Sequence, residues 1–178
     1  LSVAIEENDQ VALIDTASLK VAHRLKMAGK NPEHAVFSPD GKWLYVSAEE
    51  GDTVDIVDLG RLEVAKSVKV GNRPRGIGFL PDGSRAYVAA ENADTVNVLD
   101  TATHEVITRI KAGSRSNGVL VHPDGKRFLM VSSFGGLSTR QLNIIFNWRA
   151  ELEQPAAKAP LPIPKLVRPP ARRRGTTT

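Results

Sequence analysis

Short apolar runs alternate with turn-forming residues along most of the chain. In the clearest stretch, four runs rich in β-branched and aromatic residues cover 76–79, 85–90, 96–99 and 106–111. No ten-residue segment within it has helical spacing, so the pattern predicts four short antiparallel strands. Runs such as Leu44-Tyr45-Val46 are apolar at successive positions. This indicates strands whose sheet is covered on both faces.

The same unit is repeated along the chain. Pro-Asp-Gly occurs at 39–41, 81–83 and 123–125, each time 42 positions further on. The similarity continues outside this turn: Tyr45-Val46 aligns with Tyr87-Val88, and an Asp-Thr-Val sequence follows in both repeats. Proline presets the backbone of a type I turn and glycine adopts the left-handed conformation that closes a hairpin. A four-stranded unit repeated about every 40–45 residues is typical of a β-propeller blade.

The predicted fold is therefore all-β, a partial β-propeller of four-stranded antiparallel blades over residues 1–133. Residues 34–70 and 76–112 form two complete blades. Two incomplete blades flank them, the first from residue 1 to 27 and the last, with two strands, from 118 to 132. A closed propeller has at least four blades. We therefore expect a fragment of a longer protein, or a chain that self-associates through the open faces of its outer blades.

The repeated residues resemble a known family. Tyr-Val after the Pro-Asp-Gly turn, the Asp-Thr-Val sequence and Arg73-Pro74-Arg75-Gly76 between blades are similar to YVTN-type β-propeller repeats. More distantly, they resemble the propellers of nitrous-oxide reductase, cytochrome cd1 and quinoprotein-associated proteins. The Gly-His and Trp-Asp pairs of WD40 repeats do not occur at the repeating positions. The resemblance implies a propeller fold and a periplasmic or extracellular location.

The basic residues are concentrated after residue 133. The net charge of the chain is +4, yet residues 1–133 hold 16 basic and 18 acidic side chains. Because the body is not basic, a nucleic-acid-binding surface is not expected there. The chain has no cysteine, which excludes disulfides and thiolate metal sites. No apolar run is long enough for a transmembrane helix, and no signal peptide is recognisable.

Residues 134–178 are predicted to form a tail outside the propeller. A short amphipathic helix is expected over 141–152, followed by an extended or disordered segment with six prolines between 155 and 170. One hypothesis is that this tail is not part of the evolved fold, for instance because of a reading-frame error after Ser133. The alternative is a basic arm, centred on 172–174, for an acidic partner.

One face of the propeller is the expected functional surface. The loops between blades, and the loops from the second to the third strand, meet there around the central channel. Arginine, carboxylate and amide side chains lie in these loops and suit a small polar or anionic ligand, or a protein partner. The alternative for the arginines is loop ion pairs with Glu49, Glu91 or Asp94. The candidate ligand-binding residues are His34, Arg73, Arg75, Glu91, Asn92, Asp94, Arg115 and Asn117.

No catalytic or metal site is predicted. His34 opens an innermost strand and could carry a proton or ligand in the channel, or be a plain surface histidine; the other three histidines share no metal-ligand spacing. Asp52 and Asp94 recur with the blade period, as do Asp58 and Asp100, which is expected of turns rather than catalysis. Known hydrolase, zinc-protease and phosphate-loop motifs are absent. We expect a non-catalytic binding scaffold without a cofactor; the alternative is part of a propeller redox enzyme or quinoprotein-associated protein.

Overall fold

The computed structural model describes residues 1–113, 115–133 and 140–146. Over these residues the chain forms fourteen strands in four antiparallel sheets. The strands are β1 (Ser2–Ile5), β2 (Gln10–Asp15), β3 (Lys20–Lys26), β4 (Pro32–Phe37), β5 (Trp43–Ala48), β6 (Thr53–Asp58), β7 (Glu63–Lys69), β8 (Pro74–Phe79), β9 (Arg85–Ala90), β10 (Thr95–Asp100), β11 (Glu105–Lys111), β12 (Ser116–Val121), β13 (Arg127–Ser133) and β14 (Arg140–Phe146). Short 3-10 turns follow β1 and β9, at Glu6–Asn8 and Glu91–Ala93.

Each sheet is one blade. Blade 1 contains β1–β3, blade 2 β4–β7, blade 3 β8–β11 and blade 4 β12–β14. Consecutive strands pair antiparallel, so each chain segment runs from the innermost strand outward. The two complete four-stranded blades and the incomplete blade on either side confirm the predicted partial propeller. No helix in the described part of the chain has the length and apolar character required to cross a membrane.

The blades pack face to face through apolar side chains. Between blades 2 and 3, Tyr45 and Ile56 pack against Ile77, Val88 and Leu99, all of them buried. Similar clusters join blade 1 to blade 2 and blade 3 to blade 4. A sheet that lies between two others is covered on both sides. This explains why all the residues from Leu44 to Ala48 are buried.

The Pro-Asp-Gly turns connect the first two strands of blades 2, 3 and 4, as predicted. Gly41, Gly83 and Gly125 have φ of 70°, 72° and 65°, a conformation that side chains with a Cβ rarely adopt. The turns of neighbouring blades also touch, since a Cβ on Gly83 would lie 3.7 Å from the ring of Pro39. The turn sequence therefore shapes both the hairpin and the contact between blades.

The chain beyond residue 133 differs from the prediction. Residues 140–146 form β14, which pairs with β13 in the register Phe128↔Ile145 and Ser133↔Arg140. The helix expected over 141–152 is thus wrong for 141–146, and the propeller sheet continues past the boundary at 133. Leu142, Ile144 and Phe146 alternate with a period of two, and the free edge of β13 offers unpaired backbone groups. Residues 147–178, with the proline-rich segment and the arginine cluster, lie outside the described residues.

The innermost strands of blades 3 and 4 approach each other at a pair of glycines. A Cβ on Gly76 would lie 2.8 Å from the Cα of Gly118 and 2.9 Å from the carbonyl oxygen of Asn117. Both are backbone atoms, so they can move only with their strand.

We expect Gly76→Ala to lower the free energy of unfolding by about 2 kcal/mol, because overpacking forces the strands apart. Urea denaturation measures this change. Gly60→Ala is the matched control, since its nearest neighbour would be the Asp58 carboxylate at 3.3 Å; an equal loss there would contradict the explanation.

Candidate functional site

The first strands of blades 2, 3 and 4 each contain a bulge near the loops between blades. The strand register shifts between Pro32 and His34 in β4, between Pro74 and Ile77 in β8, and between Ser116 and Gly118 in β12. A bulge places an extra residue outside the regular pairing and redirects its side chain. In β4 and β8 the bulge contains Glu33 and Arg75. The loops and bulges at this end are called the rim.

Arg75 is surrounded by three carboxylates from two blades. Its Nη1 donates a hydrogen bond to Glu33 Oε1 at 2.7 Å, its Nη2 lies 3.0 Å from Glu49 Oε2, and its Nε lies 2.8 Å from Glu91 Oε2. The side chains are mostly buried, with 19% of Arg75 and 11% of Glu49 exposed. All three nitrogens of the guanidinium thus lie within 3.0 Å of a carboxylate of this chain, although Nε and Glu91 Oε2 do not meet in hydrogen-bond geometry.

Arg73 lies on the outer side of the same cluster. Its Nη2 is 2.6 Å from Glu49 Oε1 and its Nε is 3.2 Å from Glu91 Oε2. Its backbone N–H donates to Asp52 Oδ1 at 3.0 Å, which holds the loop at a positive φ of 57°. Glu49 and Glu91 therefore each bridge the two arginines. The ion-pair alternative considered for these arginines is the arrangement seen in the structure.

The cluster carries more negative than positive charge. Two arginines face three glutamates, and a fourth, Glu6, lies close enough to act on Glu33. Burial raises the pKa of the Glu33 carboxyl above its usual value; Arg75 opposes this rise, while Glu49 and Glu6 add to it. Arg73 and Arg75 are consequently unsuited to bind a further anion, because their positive charges are already compensated.

The remaining predicted residues lie beside this cluster rather than in it. Asp94 adopts a left-handed conformation (φ 54°), and its Oδ1 accepts the backbone N–H of Arg115 at 2.9 Å. The backbone N–H of Asn92 donates to the Asn72 carbonyl at 3.2 Å. Arg115 and Asn117 are exposed, and among the described side chains no carboxylate forms an ion pair with Arg115.

The aspartates that recur with the blade period have the structural roles expected. Asp52 repeats the arrangement of Asp94 one blade earlier, with its carbonyl accepting the N–H of Val70. Asp58 Oδ1 accepts the N–H groups of Gly60 and Arg61, and Asp100 Oδ1 accepts those of the two residues at the same positions of its turn. Each carboxylate thus closes the turn that follows its strand.

The sequence analysis did not include Glu33 and Glu49 among the candidates. Glu33 and Arg75 occupy the same position of adjacent repeats, 42 residues apart, and carry opposite charges. In a propeller, equivalent positions of adjacent blades lie side by side. An opposite charge at a 42-residue spacing was therefore a signal that could have identified Glu33.

His34 lies at the channel but is engaged in a contact between blades. Its Nδ1 accepts the backbone N–H of Ile77 at 2.9 Å, and its own N–H donates to Ser47 Oγ at 3.1 Å. Although the residue remains partly exposed, desolvation lowers the pKa of His34 below its usual value. With Nδ1 accepting, the ring is neutral and its proton is on Nε2.

Two cavities, of about 120 and 190 Å³, lie at the opposite end of the blades, against the Pro-Asp-Gly turns. Drug-sized ligands occupy roughly 300–1,000 Å³. The described residues contain no group of three or more histidine, aspartate or glutamate side chains placed to hold a metal ion.

Comparison with known proteins extends the similarity beyond the sequence motifs. The family model of the cytochrome D1 heme domain matches residues 1–81. Hydrazine synthase from Kuenenia stuttgartiensis has a similar structure, with a TM-score of 0.77 and 30% sequence identity over 82% of this chain. A functionally unknown protein from Desulfotomaculum acetoxidans shares the fold, with a TM-score of 0.60 and 16% identity over 70% of the chain.

The chain spans 42% of the length of each of these two structures. No curated protein matches it significantly by sequence. The family model covers blade 1, blade 2 and the first strand of blade 3. The hydrazine synthase similarity extends over most of the chain. The chain therefore carries β-propeller blades, and its first 81 residues are similar to the cytochrome D1 heme domain.

Proposed function

We propose that the described blades are a non-catalytic scaffold within a larger propeller protein, and that the rim binds a protein or a small polar ligand. The observation that carries this proposal is the compensation of the Arg75 charge by Glu33, Glu49 and Glu91, each within 3.0 Å of the guanidinium. A catalytic or anion-binding arginine needs donors directed at its substrate. Here the donors are directed at the protein itself, and they join blades 2 and 3.

The charge of the rim favours some partners over others. A small anion would have to displace a carboxylate from Arg73 or Arg75 and then lie beside the uncompensated glutamates. A cationic or neutral hydrogen-bonding group instead meets the excess carboxylate charge. The proposal therefore replaces the anionic ligand expected from the arginines with a basic or neutral polar group.

The described residues do not fit a haem, the group named by the matching family. An axial ligand must offer a free lone pair, and His34 Nδ1 already accepts the Ile77 N–H while Nε2 carries the proton. The innermost strands of blades 3 and 4 meet at Gly76 and Gly118, leaving no space between them. The cavities at the opposite end are below the size of a small-molecule pocket.

A redox propeller is the second candidate function. The match to the cytochrome D1 heme domain and the 30% identity to hydrazine synthase favour it. In that case the described blades support a cofactor held by other residues of the whole protein. A periplasmic or extracellular location, implied by the family resemblance, is part of both proposals.

Absorbance of the purified full-length protein between about 350 and 700 nm tests the scaffold proposal, because a haem or quinone absorbs there. His34→Ala is compared with His23→Ala, since His23 is an exposed residue of β3. We expect either no band or a band that both variants retain. A band lost in His34→Ala and kept in His23→Ala would overturn the proposal, because it would place the cofactor on the described channel.

A further inference from the structure

Two histidines join blade 2 to blade 3 at opposite ends of one interface. At the rim end, His34 of β4 accepts the backbone N–H of Ile77 in β8 through Nδ1. At the other end, Nδ1 of His104, in the turn after β10, lies 2.7 Å from the hydroxyl of Tyr45 in β5. The apolar cluster of Tyr45, Ile77 and their neighbours lies between these two contacts.

The His34 contact requires an uncharged ring. A backbone N–H can only donate, so Nδ1 must keep a free lone pair to accept it. A proton on Nδ1 would replace this hydrogen bond with two opposed donors. Protonation of His34 is therefore incompatible with the contact between β4 and β8.

The His104 ring is also placed unfavourably for a positive charge. It packs edge-on against Trp43, with ring centroids 4.5 Å apart and an angle of 73°. Desolvation and the ammonium of Lys66 lower the pKa of His104, while Asp100 opposes this. The Tyr45 hydroxyl can donate to Nδ1 of a neutral ring or accept from a protonated one, so protonation of His104 changes the charge at this contact and not the pairing itself.

The other blade contacts lack these groups. The equivalents of His34 are Gly76 and Gly118, and the equivalents of His104 are Leu19 and Leu62, which share its left-handed conformation with φ of 56° and 57°. The repeat itself therefore does not require a histidine at either position. Among the described blades, only the interface of blades 2 and 3 carries both.

We propose that the interface between blades 2 and 3 is pH-sensitive and is loosened at low pH, because protonation of His34 breaks its contact with Ile77 and protonation of His104 places a charge on a partly desolvated ring. This inference is independent of the scaffold function, since it depends on contacts between the blades and not on any ligand. It assigns a conformational role to two histidines that the rim does not use.

The charged groups around both rings are accounted for. Near His34 lie Glu33 on β4, Arg75 on β8 and Glu49 after β5, with Glu6 after β1 beside them. This cluster has an excess of negative charge, but the pKa of His34 is lowered by desolvation. Around His104 and Tyr45, Lys66 on β7 is paired with Glu105, and Asp100 and Asp40 lie further off.

The direction of the pH effect follows from the lowered pKa values. The unfolded chain binds a proton near pH 6.5 and the folded chain only at lower pH. Stability is thus complete above about pH 6.5 and decreases as the pH falls below it. Each histidine can raise the equilibrium constant for opening by up to about tenfold per pH unit until its own folded pKa is reached.

Native-state hydrogen exchange at the Ile77 amide measures opening at pH 7.5 and 5.5, with correction for intrinsic exchange. The test variant combines His34→Gly and His104→Leu, because glycine and leucine occupy the equivalent positions of the other blades. We expect wild type to open at least tenfold more at pH 5.5, and the double variant to respond to pH much less. His23→Gln, an exposed change on β3, should behave as wild type.

Long-range ¹H–¹⁵N NMR of wild type provides a second readout that does not depend on the variants folding. We expect the His34 ring to carry the proton on Nε2 at pH 7.5 and both rings to titrate below the ordinary histidine range. Any one of three results would overturn the proposal. These are a proton on Nδ1 of His34, titration of both rings in the ordinary histidine range, or a change of Ile77 protection between pH 7.5 and 5.5 that is equal in wild type and the double variant.

Discussion

Arg75→Ala is expected to lower the free energy of unfolding by about 3 kcal/mol. The change leaves Glu33 without its cation and Glu49 and Glu91 with Arg73 alone, while all three carboxylates stay mostly buried and close together. Removing one partner of a buried ion pair is costly because the other charge stays desolvated, with typical losses of about 3–5 kcal/mol. Because the cluster is partly exposed, we expect a loss at the lower end of this range. Urea denaturation at pH 7.5 measures the loss.

Arg115→Ala is the control for this prediction. Arg115 is exposed in the next loop between blades and forms no ion pair with a described side chain, so its loss should be within about 0.5 kcal/mol. The loss of unfolding free energy in Arg75→Ala should also become smaller as the pH is lowered to about 5, because protonation removes the uncompensated glutamate charge. A deficit that is independent of pH, or an equal loss in Arg115→Ala, would show that the cluster charge is not the cause.

Asp55→Ala is expected to cost about 3 kcal/mol through lost hydrogen bonds. Asp55 in β6 is fully buried; its Oδ2 accepts the N–H groups of Ala28 and Gly29 at 2.7 and 2.8 Å, and its Oδ1 accepts the Ser67 hydroxyl at 2.6 Å. Each donor left without a partner costs about 1–3 kcal/mol when it is buried. The carboxylate also ties the loop between blades 1 and 2 to the middle of blade 2.

Asp55→Asn and Asp58→Ala distinguish the explanations. The equivalent residue of Asp55 in blade 3 is Asn97, also fully buried, whose Oδ1 accepts Arg109 Nε at 3.0 Å. An amide fits the space and keeps one acceptor, so we expect about half of the alanine loss. Asp58→Ala removes only an exposed turn cap and should cost about 1 kcal/mol. Equal urea midpoints for the Asp55→Ala and Asp58→Ala variants would contradict the role assigned to Asp55.

The candidate site could be predicted only in outline. That arginines and carboxylates share the rim follows from the strand order, which determines the positions of the loops. Which carboxylates bind Arg75 depends on the bulges in β4 and β8 and on the stacking of blade 2 on blade 3. Glu33 consequently contacts Arg75 of another sheet. Its neighbour in sequence, His34, contacts Ile77 of that same sheet.

The segment after residue 133 illustrates a different reason for error. The apolar residues between 141 and 146 fit helical spacing and strand alternation alike, so local pattern does not decide between them. The free edge of β13 supplies backbone partners and β14 pairs along it. Pairing with β13 in the folded chain, and not an intrinsic preference of these residues, therefore selects the strand.

By itself, the sequence determined the blade repeat, the four-strand pattern and the turns. These features depend on interactions within a few residues, such as Asp58 with the next turn or glycine at a positive φ. The tertiary structure decided the partners of Arg75, the tautomer of His34 and the pairing of β14. Each of these depends on contacts between residues far apart in sequence or on which strand edge is free, and therefore on how the sheets are positioned.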